Sequence, residues 1–299
     1  MKYIKKNNKY YNKNKEITNK NLIDYFNKYK IPPAWKNVQI YPVNSNKIFC
    51  TGVDVAGRKQ YIYKANFVKK QKNKKYCNLI KFSEKLPNIL KVINKNLTKK
   101  WSKDKIIALI LKIMIHCNFR IGNEIYKKKY KSFGLTTLQK KHIKFNKNNI
   151  KIKFIGKKGV LNECTIVDPE IIKNMPIRSS TDYFTYKNNK IKAIDINNFL
   201  KQFGNFTSKD FRTWSANMLL LKYLINSKIK NNKERKKNAV KIVKQTSSDL
   251  HHTPSICKKS YIHPQILKLY IEQPNKFNNY YMNNNSINKN FIKFLKKYC

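Results

Sequence analysis

Acidic side chains are scarce in this chain: 15 Asp and Glu residues stand against 66 Lys and Arg residues among 299. The few carboxylates are dispersed, so the sequence lacks the acidic clusters with which metal-dependent nucleases hold divalent ions. The formal net charge is +51, and 13% of the residues are aromatic. Part of the lysine excess fits the codon bias of an AT-rich genome, which leaves the sign of the charge unchanged. A folded, strongly basic chain of this kind attracts polyphosphate, which indicates a nucleic-acid-binding protein.

Three further absences narrow the chemistry. The six cysteines include no CxxC pair and no histidine at ligand spacing, which predicts reduced thiols and no zinc site. A phosphate cradle of the GxxxxGK[ST] type is missing, because Gly156-Lys157 has neither the upstream glycine nor the following Ser or Thr. No apolar run reaches the roughly 18 residues that cross a membrane, and no signal peptide is visible. Metal, ATP and membrane roles are therefore not expected.

Hydrophobic periodicity predicts a small antiparallel β domain over residues 1–75. Residues 1–20 are polar, and we expect them to be loosely ordered. Alternating apolar and polar positions then indicate three strands, separated by turns that include Asn44 and Gly57. The basic run from Lys69 to Lys75 is the expected linker to the next domain. A short helix at 22–29 precedes the predicted strands, which are 38–43, 47–53 and 58–63.

Residues 76–299 are predicted to form a mainly α-helical catalytic domain that carries a small three-stranded sheet. Ser102 precedes an apolar stripe from Ile106 to Met114 at helical spacing, which is typical of a capped core helix. Alternating segments on both sides of Gly156 indicate three short strands. The fold class is therefore α+β. The predicted strands are 142–145, 150–155 and 161–167, and the later helices are 194–203, 210–225, 238–247, 264–272 and 291–297.

The stretch from His251 to Tyr261 is the strongest candidate for chemistry. A phenol with a pKa near ~10 is a poor nucleophile in water. Beside cations it can attack a phosphate and form a phosphotyrosyl adduct. Arg120, Arg212 and His252 are the candidate holders of the phosphate oxygens, with a lysine in a tight turn to protonate the leaving group. Residue type alone leaves this open, since Tyr261 is one of 19 tyrosines and Arg120 could equally cap a helix.

Five short motifs occur in order along the chain. They are Phe119-Arg120-Ile121-Gly122-Asn123, Gly134-Leu135-Thr136-Thr137-Leu138, Phe154-Ile155-Gly156-Lys157, Lys209-Asp210-Phe211-Arg212-Thr213, and His252-Thr253-Pro254-Ser255-Ile256 with Ser260-Tyr261. Any one of them is weak, but in this order and spacing they closely resemble the type IB DNA topoisomerases of the poxvirus type. The likeness covers nearly the whole chain, since the segment from Gly52 to Tyr63 matches the N-terminal β domain of that family.

The resemblance implies a catalytic role for five residues. Tyr261 would attack a backbone phosphate of DNA and give a 3′-phosphotyrosyl link and a free 5′-hydroxyl. Arg120, Arg212 and His252 would contact the non-bridging oxygens. Lys157, helped by Arg120, would protonate the 5′-oxygen. The cut strand would rotate and be religated, so supercoiled DNA would be relaxed without ATP, metal or any other cofactor.

The resemblance also implies a partner and a location. Duplex DNA is the expected partner, clamped by a monomer, and the family indicates a viral protein of the virion core and host cytoplasm. On strand periodicity alone, Tyr61 and Tyr63 could equally be ordinary strand packing. The residues expected to contact DNA by resemblance are Gln60, Tyr61, Tyr63, Tyr126, Lys209 and Lys258.

Four positions depart from the family pattern. His251 stands where glycine often precedes the catalytic histidine, and Lys158 stands where an acid commonly follows Gly-Lys. Whether either residue assists catalysis is open. Asn123 and Ile125 stand where the poxvirus enzymes tend to carry lysines that help to read the target sequence. The familiar preference for a CCCTT-like cleavage site is therefore not carried over.

Two other functions share some of these features. A tyrosine recombinase or resolvase uses a similar Arg-Lys-His-Arg-Tyr set but assembles several subunits on paired sites; the N-terminal β domain and the Gly-Lys turn favour the topoisomerase. A non-catalytic basic DNA-packaging protein would need no nucleophile.

The role of Arg58 is undecided between a phosphate contact and a turn. The remaining residues, interpreted as structural, are His116, His142, His263, Arg178 and Arg235.

Overall fold

The chain divides into two compact units, Met1–Lys75 and Tyr76–Cys299. Each unit has its own cluster of buried apolar side chains. Arg178 lies outside the described residues. The computed structural model describes residues 2–177, 181–227, 229, 232–281 and 286–298.

The first unit contains six strands and one helix. Its strands are β1 (Tyr3–Lys6), β2 (Lys9–Asn12), β3 (Lys15–Glu16), β4 (Lys36–Ile40), β5 (Ile48–Val53) and β6 (Lys59–Tyr63), with α1 (Lys20–Asn27) between β3 and β4. They form one sheet in the order β3-β2-β1-β4-β5-β6, and every neighbouring pair is antiparallel. The predicted antiparallel β domain at the N-terminus is confirmed.

The expectation that residues 1–20 are loosely ordered is wrong. β1 pairs with β4 on one side and β2 on the other. The rings of Tyr3 and Tyr10 pack on buried Phe26, with centroids 5.2 and 5.0 Å away. The Tyr10 hydroxyl also donates a hydrogen bond of 2.8 Å to Asn27 Oδ1. Tyrosine rings therefore supply apolar contacts in a stretch whose composition is polar overall.

One helix, α2 (Ala65–Leu97), runs through the point where the two units divide. The basic run from Lys69 to Lys75, predicted as a linker between domains, lies inside this helix. Lysine is a good helix former, and no glycine or proline interrupts α2 before Pro87. The run is therefore helical.

The second unit is mainly helical and carries the predicted three-stranded sheet, which is confirmed. The sheet consists of β7 (Ile143–Phe145), β8 (Ile150–Ile155) and β9 (Leu161–Ile166) in the antiparallel order β7-β8-β9. A separate hairpin joins β10 (Thr185–Tyr186) to β11 (Asn189–Lys190). The helices are α3 (Lys103–Cys117), α4 (Glu124–Tyr130), α5 (Pro169–Asn174), α6 (Ala193–Lys201), α7 (Ser208–Asn226), α8 (Asn232–Asp249), α9 (Pro254–Ser260), α10 (Pro264–Glu272), α11 (Pro274–Tyr281) and α12 (Ile287–Tyr298).

Helix α3 lies in the core of this unit. Ser102 caps it by accepting a hydrogen bond of 3.3 Å from the Lys105 backbone N–H. Every residue from Ile106 to Leu111 is buried, so the helix is surrounded by packing partners. Each large apolar side chain buried in this way contributes roughly 1.5–3 kcal/mol. Helix α3 is therefore a fixed support for the residues that follow it, which include Arg120.

No helix among the described residues is long and apolar enough to cross a membrane.

The expectation of reduced thiols is wrong for one pair of cysteines. Cys117, at the end of α3, forms a disulfide with Cys164 in β9, and their Cα atoms are 5.7 Å apart. This separation is within the usual range for a disulfide. The residues are 47 positions apart in sequence, so only the tertiary fold could reveal the pairing.

In the described part of the chain, no group of three or more His, Cys, Asp or Glu residues is placed to hold a metal ion.

Candidate active site

Tyr261 follows directly after a short helix whose start explains the Thr-Pro motif. The Thr253 hydroxyl accepts a hydrogen bond of 3.4 Å from the Ile256 N–H, and Pro254 occupies the first turn of α9. Helix α9 ends at half-buried Tyr261, whose N–H donates to the Cys257 carbonyl at 3.0 Å. The spacing between His252 and Tyr261 is therefore set by one capped helix.

Two buried side chains fix the backbone around Tyr261. Asn217 donates a hydrogen bond to the Tyr261 carbonyl at 3.0 Å and accepts one from the His263 N–H at 2.8 Å. The Tyr76 hydroxyl donates to the Ile262 carbonyl at 2.6 Å. Three consecutive residues are thus held by side chains from α2 and α7. Sequence reasoning missed Tyr76 and Asn217, because neither burial nor these partners can be read from the chain.

The imidazole of His252 contacts the Tyr261 ring and the guanidinium groups of Arg120 and Arg212. Its ring centroid is 4.4 Å from that of Tyr261. Its Nε2 is 2.7 Å from Arg212 Nη2, and its Nδ1 is 2.5 Å from Arg120 Nη2. A neutral imidazole has only one accepting nitrogen, so only one of these two contacts is a hydrogen bond. The other guanidinium keeps an N–H group available to a different acceptor.

Both arginines are held by backbone carbonyls. Arg120 Nη1 donates to the His251 carbonyl at 3.1 Å. Arg212 Nη2 donates to the Leu250 carbonyl at 2.7 Å, and Arg212 Nη1 donates to the Asn118 carbonyl. In the described residues, no carboxylate forms an ion pair with either arginine. Across the described ranges, the two positive charges near the Tyr261 phenol are therefore not neutralised by a carboxylate ion pair.

Because the site is buried, the positive charges of the two arginines strongly affect the pKa values of its side chains. Arg212 is only 4% exposed, and its Nε has no hydrogen-bond partner among the described residues. Burial, followed by the nearby charge of Arg120, lowers the pKa of Arg212 to about 10. Burial, followed by Arg212 and Arg120, lowers the pKa of His252 to about 2. The guanidinium stays charged and the imidazole stays neutral at pH 7, so the site is suited to an anion.

A second motif supports the Arg120 segment. The Leu135 N–H donates to the Arg120 carbonyl at 2.9 Å, and the Thr136 hydroxyl donates to the Ile121 carbonyl at 2.9 Å. A Cβ on Gly134 would lie 2.5 Å from the Gly122 nitrogen and 2.7 Å from the Arg120 oxygen. Only glycine allows this approach of two backbones. The Gly-Leu-Thr-Thr motif therefore holds Arg120 in place.

Lys157 lies in the turn between β8 and β9. Its Nζ is 5.5 Å from the centre of the Tyr126 ring, and its charge is one of those that lower the pKa of His252. Lys158 is exposed, and its left-handed backbone (φ 64°) forms the bend of the turn. A Cβ on Gly156 would lie 2.4 Å from Asn162 Nδ2. Lys157 is therefore close enough to His252 for its positive charge to lower the pKa of the imidazole.

Some of the residues expected to contact DNA form contacts within the protein, and others are exposed. Tyr61 and Tyr63 are 45% and 39% exposed, and their rings stack with centroids 6.2 Å apart. The Gln60 side chain donates to Asp54 at 2.8 Å, and Arg58 forms an ion pair with the same carboxylate at 2.7 Å. Tyr61 and Tyr63 thus offer an open aromatic surface. The other expected contacts, all on the surface of the second unit, are Tyr126, Lys209 and Lys258.

Four of the residues interpreted as structural have partners in the fold or lie on its surface. His142 Nδ1 accepts from the Gln139 N–H at 3.0 Å, and His263 Nδ1 accepts from the Gln265 N–H at 3.3 Å. Arg235 lies over a buried tyrosine ring, 5.0 Å from its centre. His116 is exposed at the end of α3. None of these contacts involves Tyr261.

Comparison with known proteins identifies the class. Residues 64–288 match the family model described as the catalytic core of eukaryotic DNA topoisomerase I. DNA topoisomerase 1B of Acanthamoeba polyphaga mimivirus is 32% identical over 287 residues, which cover 90% of this chain and 85% of the relative. DNA topoisomerase 1B of vaccinia virus (strain Copenhagen) is 30% identical over 252 residues, covering 80% and 79%.

The chain therefore belongs to the type IB DNA topoisomerases of the poxvirus type. A solved structure of the XerH site-specific recombinase bound to difH, a pre-cleavage complex, is also similar, with a TM-score of 0.38 and 13% identity. That match covers 64% of this chain and 52% of the recombinase.

Proposed function

We propose that this enzyme relaxes supercoiled duplex DNA by cutting one strand transiently through Tyr261, without ATP or a metal ion. The observation that carries the proposal is the pair of guanidinium groups beside the phenol. Among the described residues, neither has a carboxylate ion-pair partner, and the buried Arg212 Nε has no acceptor. A phosphodiester has two non-bridging oxygens that would accept such donors.

The proposed reaction is one phosphoryl transfer and its reversal. The Tyr261 oxygen attacks phosphorus while the bond from phosphorus to the 5′-oxygen breaks, which leaves a 3′-phosphotyrosyl link and a 5′-hydroxyl. The phenol releases its proton to solvent water, and Lys157, helped by Arg120, gives one to the 5′-oxygen, so the number of bound protons balances over the step. Arg120, Arg212 and His252 hold the non-bridging oxygens. The broken phosphoester is replaced by another, so the 5′-hydroxyl can attack back after strand rotation and no nucleotide is consumed.

Duplex DNA is the proposed partner, and the enzyme is proposed to act as a monomer. Contacts to the duplex would come from the aromatic pair Tyr61 and Tyr63 in the first unit, and from Tyr126, Lys209 and Lys258 in the second. Phosphate contacts by lysines fix position without reading sequence. Since the two DNA topoisomerase 1B relatives are from viruses, we propose that the protein acts in the virion core and host cytoplasm.

The direct test compares the wild-type protein with Tyr261→Phe on one supercoiled plasmid in the presence of EDTA and without nucleotide. We expect stepwise relaxation by the wild type and none by the variant, which should still bind DNA because the basic surface is unchanged. Relaxation by Tyr261→Phe would refute the nucleophile. Loss of wild-type activity in EDTA with recovery in magnesium would refute the metal-free site, and recombined plasmid products would indicate a recombinase.

A further inference from the structure

His251 has a backbone conformation that a side chain ordinarily avoids. Its φ is 52°, in the left-handed region where a residue with a Cβ is strained by roughly 1–2 kcal/mol. Glycine would adopt this conformation freely. The strained residue immediately precedes His252, in the segment that meets both arginines. Strain that persists beside an active site is a reason to look for what the side chain does there.

The imidazole of His251 reaches the end of helix α3. Its Nε2 lies 3.0 Å from the Cys117 carbonyl, and because a carbonyl only accepts, this nitrogen carries the proton. The ring also packs against Phe119, with centroids 4.9 Å apart. These two contacts flank Asn118, whose carbonyl accepts a hydrogen bond from Arg212. The ring is thus attached to the segment that leads into Arg120.

The backbone of the same residue contacts the other side of the site. The His251 carbonyl accepts a hydrogen bond of 3.1 Å from Arg120 Nη1. The preceding carbonyl, that of Leu250, accepts one of 2.7 Å from Arg212. His251 therefore joins residues 117–120 to residues 250–252 through both its ring and its carbonyl. A glycine at this position would keep the carbonyl contact and lose the ring contacts.

We propose that His251 is a positioning residue whose ring contacts keep Arg120 and His252 in a fixed position relative to each other. A glycine at this position has no side chain and would leave the two segments more mobile. The proposal rests on the proposed function for its chemistry. His251 takes no part in proton transfer, because its one N–H is bonded to Cys117 and its ring faces Phe119 rather than Tyr261. Beside it lies a cavity of about 650 Å³, lined by residues that include His116, Leu161 and Tyr223.

The cavity makes chemical rescue a suitable test. His251→Gly relieves the backbone strain and leaves space for a free azole. We expect relaxation and single-turnover strand cleavage to slow at least tenfold, with little change in melting temperature. Imidazole and the much weaker base 1,2,4-triazole should both restore the rate, because each carries an N–H for the Cys117 carbonyl. The compound 1-methylimidazole has no N–H and should not. His116→Ala, which alters the lining of the same cavity, should keep the wild-type rate.

Three outcomes would overturn the proposal. The first is a wild-type rate for His251→Gly. The second is rescue by imidazole but not by triazole, which would show proton transfer instead of positioning. The third is a slow variant that no azole restores, which would place the defect in the backbone. His251→Asn, which tolerates the left-handed backbone but has a shorter side chain, should be slow as well and guards against misfolding of the glycine variant. If DNA is found joined to a residue other than Tyr261, the proposed function fails, while the relaxation rates still decide the role of His251.

Discussion

Arg212, His252 and Tyr76 show how single buried groups determine the properties of the site. Arg212 donates to two carbonyls, and within the described parts of the chain its Nε has no acceptor. Desolvation makes such a donor stronger towards an anion and costly when it is left unsatisfied. A bound phosphate would remove that cost. The same burial keeps His252 neutral, so the two residues differ in charge although they lie in one environment.

The depressed pKa of His252 predicts acid sensitivity of the free protein. The folded-state pKa is about 2, below the ordinary value of about 6.5. As the pH falls below about 6.5, the unfolded chain binds a proton that the folded chain does not, so stability is lost by roughly 1 kcal/mol per pH unit. In urea titrations between pH 6 and pH 4, His252→Gln should lose stability less steeply than the wild type. Equal slopes would show that His252 titrates normally in the fold.

The hydroxyl of Tyr76 should matter for cleavage beyond its effect on stability. Tyr76→Phe removes the hydrogen bond to the Ile262 carbonyl, next to Tyr261, the proposed nucleophile. Tyr183→Phe is the matched control, since its buried hydroxyl also donates to a backbone carbonyl, that of Pro176. We expect each variant to lose about 1–3 kcal/mol of stability by urea denaturation. Only Tyr76→Phe should slow single-turnover cleavage; equal cleavage rates would mean that Tyr76 is purely structural.

The candidate site residues could be proposed from sequence because each belongs to a short local motif. Thr253 and Pro254 start a helix that ends at Tyr261, and this is encoded within ten residues. The positioning contacts are different. Asn217 lies 44 residues from Tyr261, and Tyr76 lies 186 from Ile262. Such contacts depend on tertiary packing, which no local pattern reports.

Among the elements, the segment from Gly134 to Thr137 supports Arg120, a proposed catalytic residue, from outside the site. Gly134→Ala would place a Cβ against backbone atoms that cannot move independently. We expect a loss of roughly 1–3 kcal/mol in stability and a relaxation rate at least tenfold lower, because Arg120 is displaced. Gly57→Ala is the control, because its Cβ has open space, its only penalty is φ +71°, and it lies outside the turn that carries Lys157. Wild-type relaxation by Gly134→Ala would show that this contact does not position Arg120.

Sequence patterns predict some helices and strands correctly and miss others. Helix α10 (Pro264–Glu272) matches the predicted range, because Pro264 and a capping His263 define its start. The strands before residue 20 were missed because their apolar contacts come from tyrosines rather than from aliphatic alternation. The basic run before Tyr76 has no helical stripe, yet α2 includes it since nothing in it interrupts a helix.

The charge of the whole molecule predicts strongly salt-dependent binding. With a net charge of +51, many lysines can release counterions from a duplex, and each neutralised phosphate adds about 0.9 to the slope of log affinity against log salt. The Tyr261→Phe variant, which cannot cut, should therefore bind a labelled duplex with an affinity that falls at least a thousandfold between 50 and 200 mM salt, the order expected for six or more contacts. Fluorescence anisotropy measures this directly. A flat response would mean that phosphate contacts do not drive binding.

In the proposed reaction, the oxygen of Tyr261 becomes joined to the 3′-phosphate of a cut strand. Trapping the covalent complex on an end-labelled duplex, followed by proteolysis and mass spectrometry, identifies both the linked side chain and the linked strand end. We expect a single peptide carrying DNA on Tyr261 through a 3′-phosphate, with a 5′-hydroxyl on the released fragment. DNA joined to any other residue, or joined through a 5′-phosphate, would contradict it.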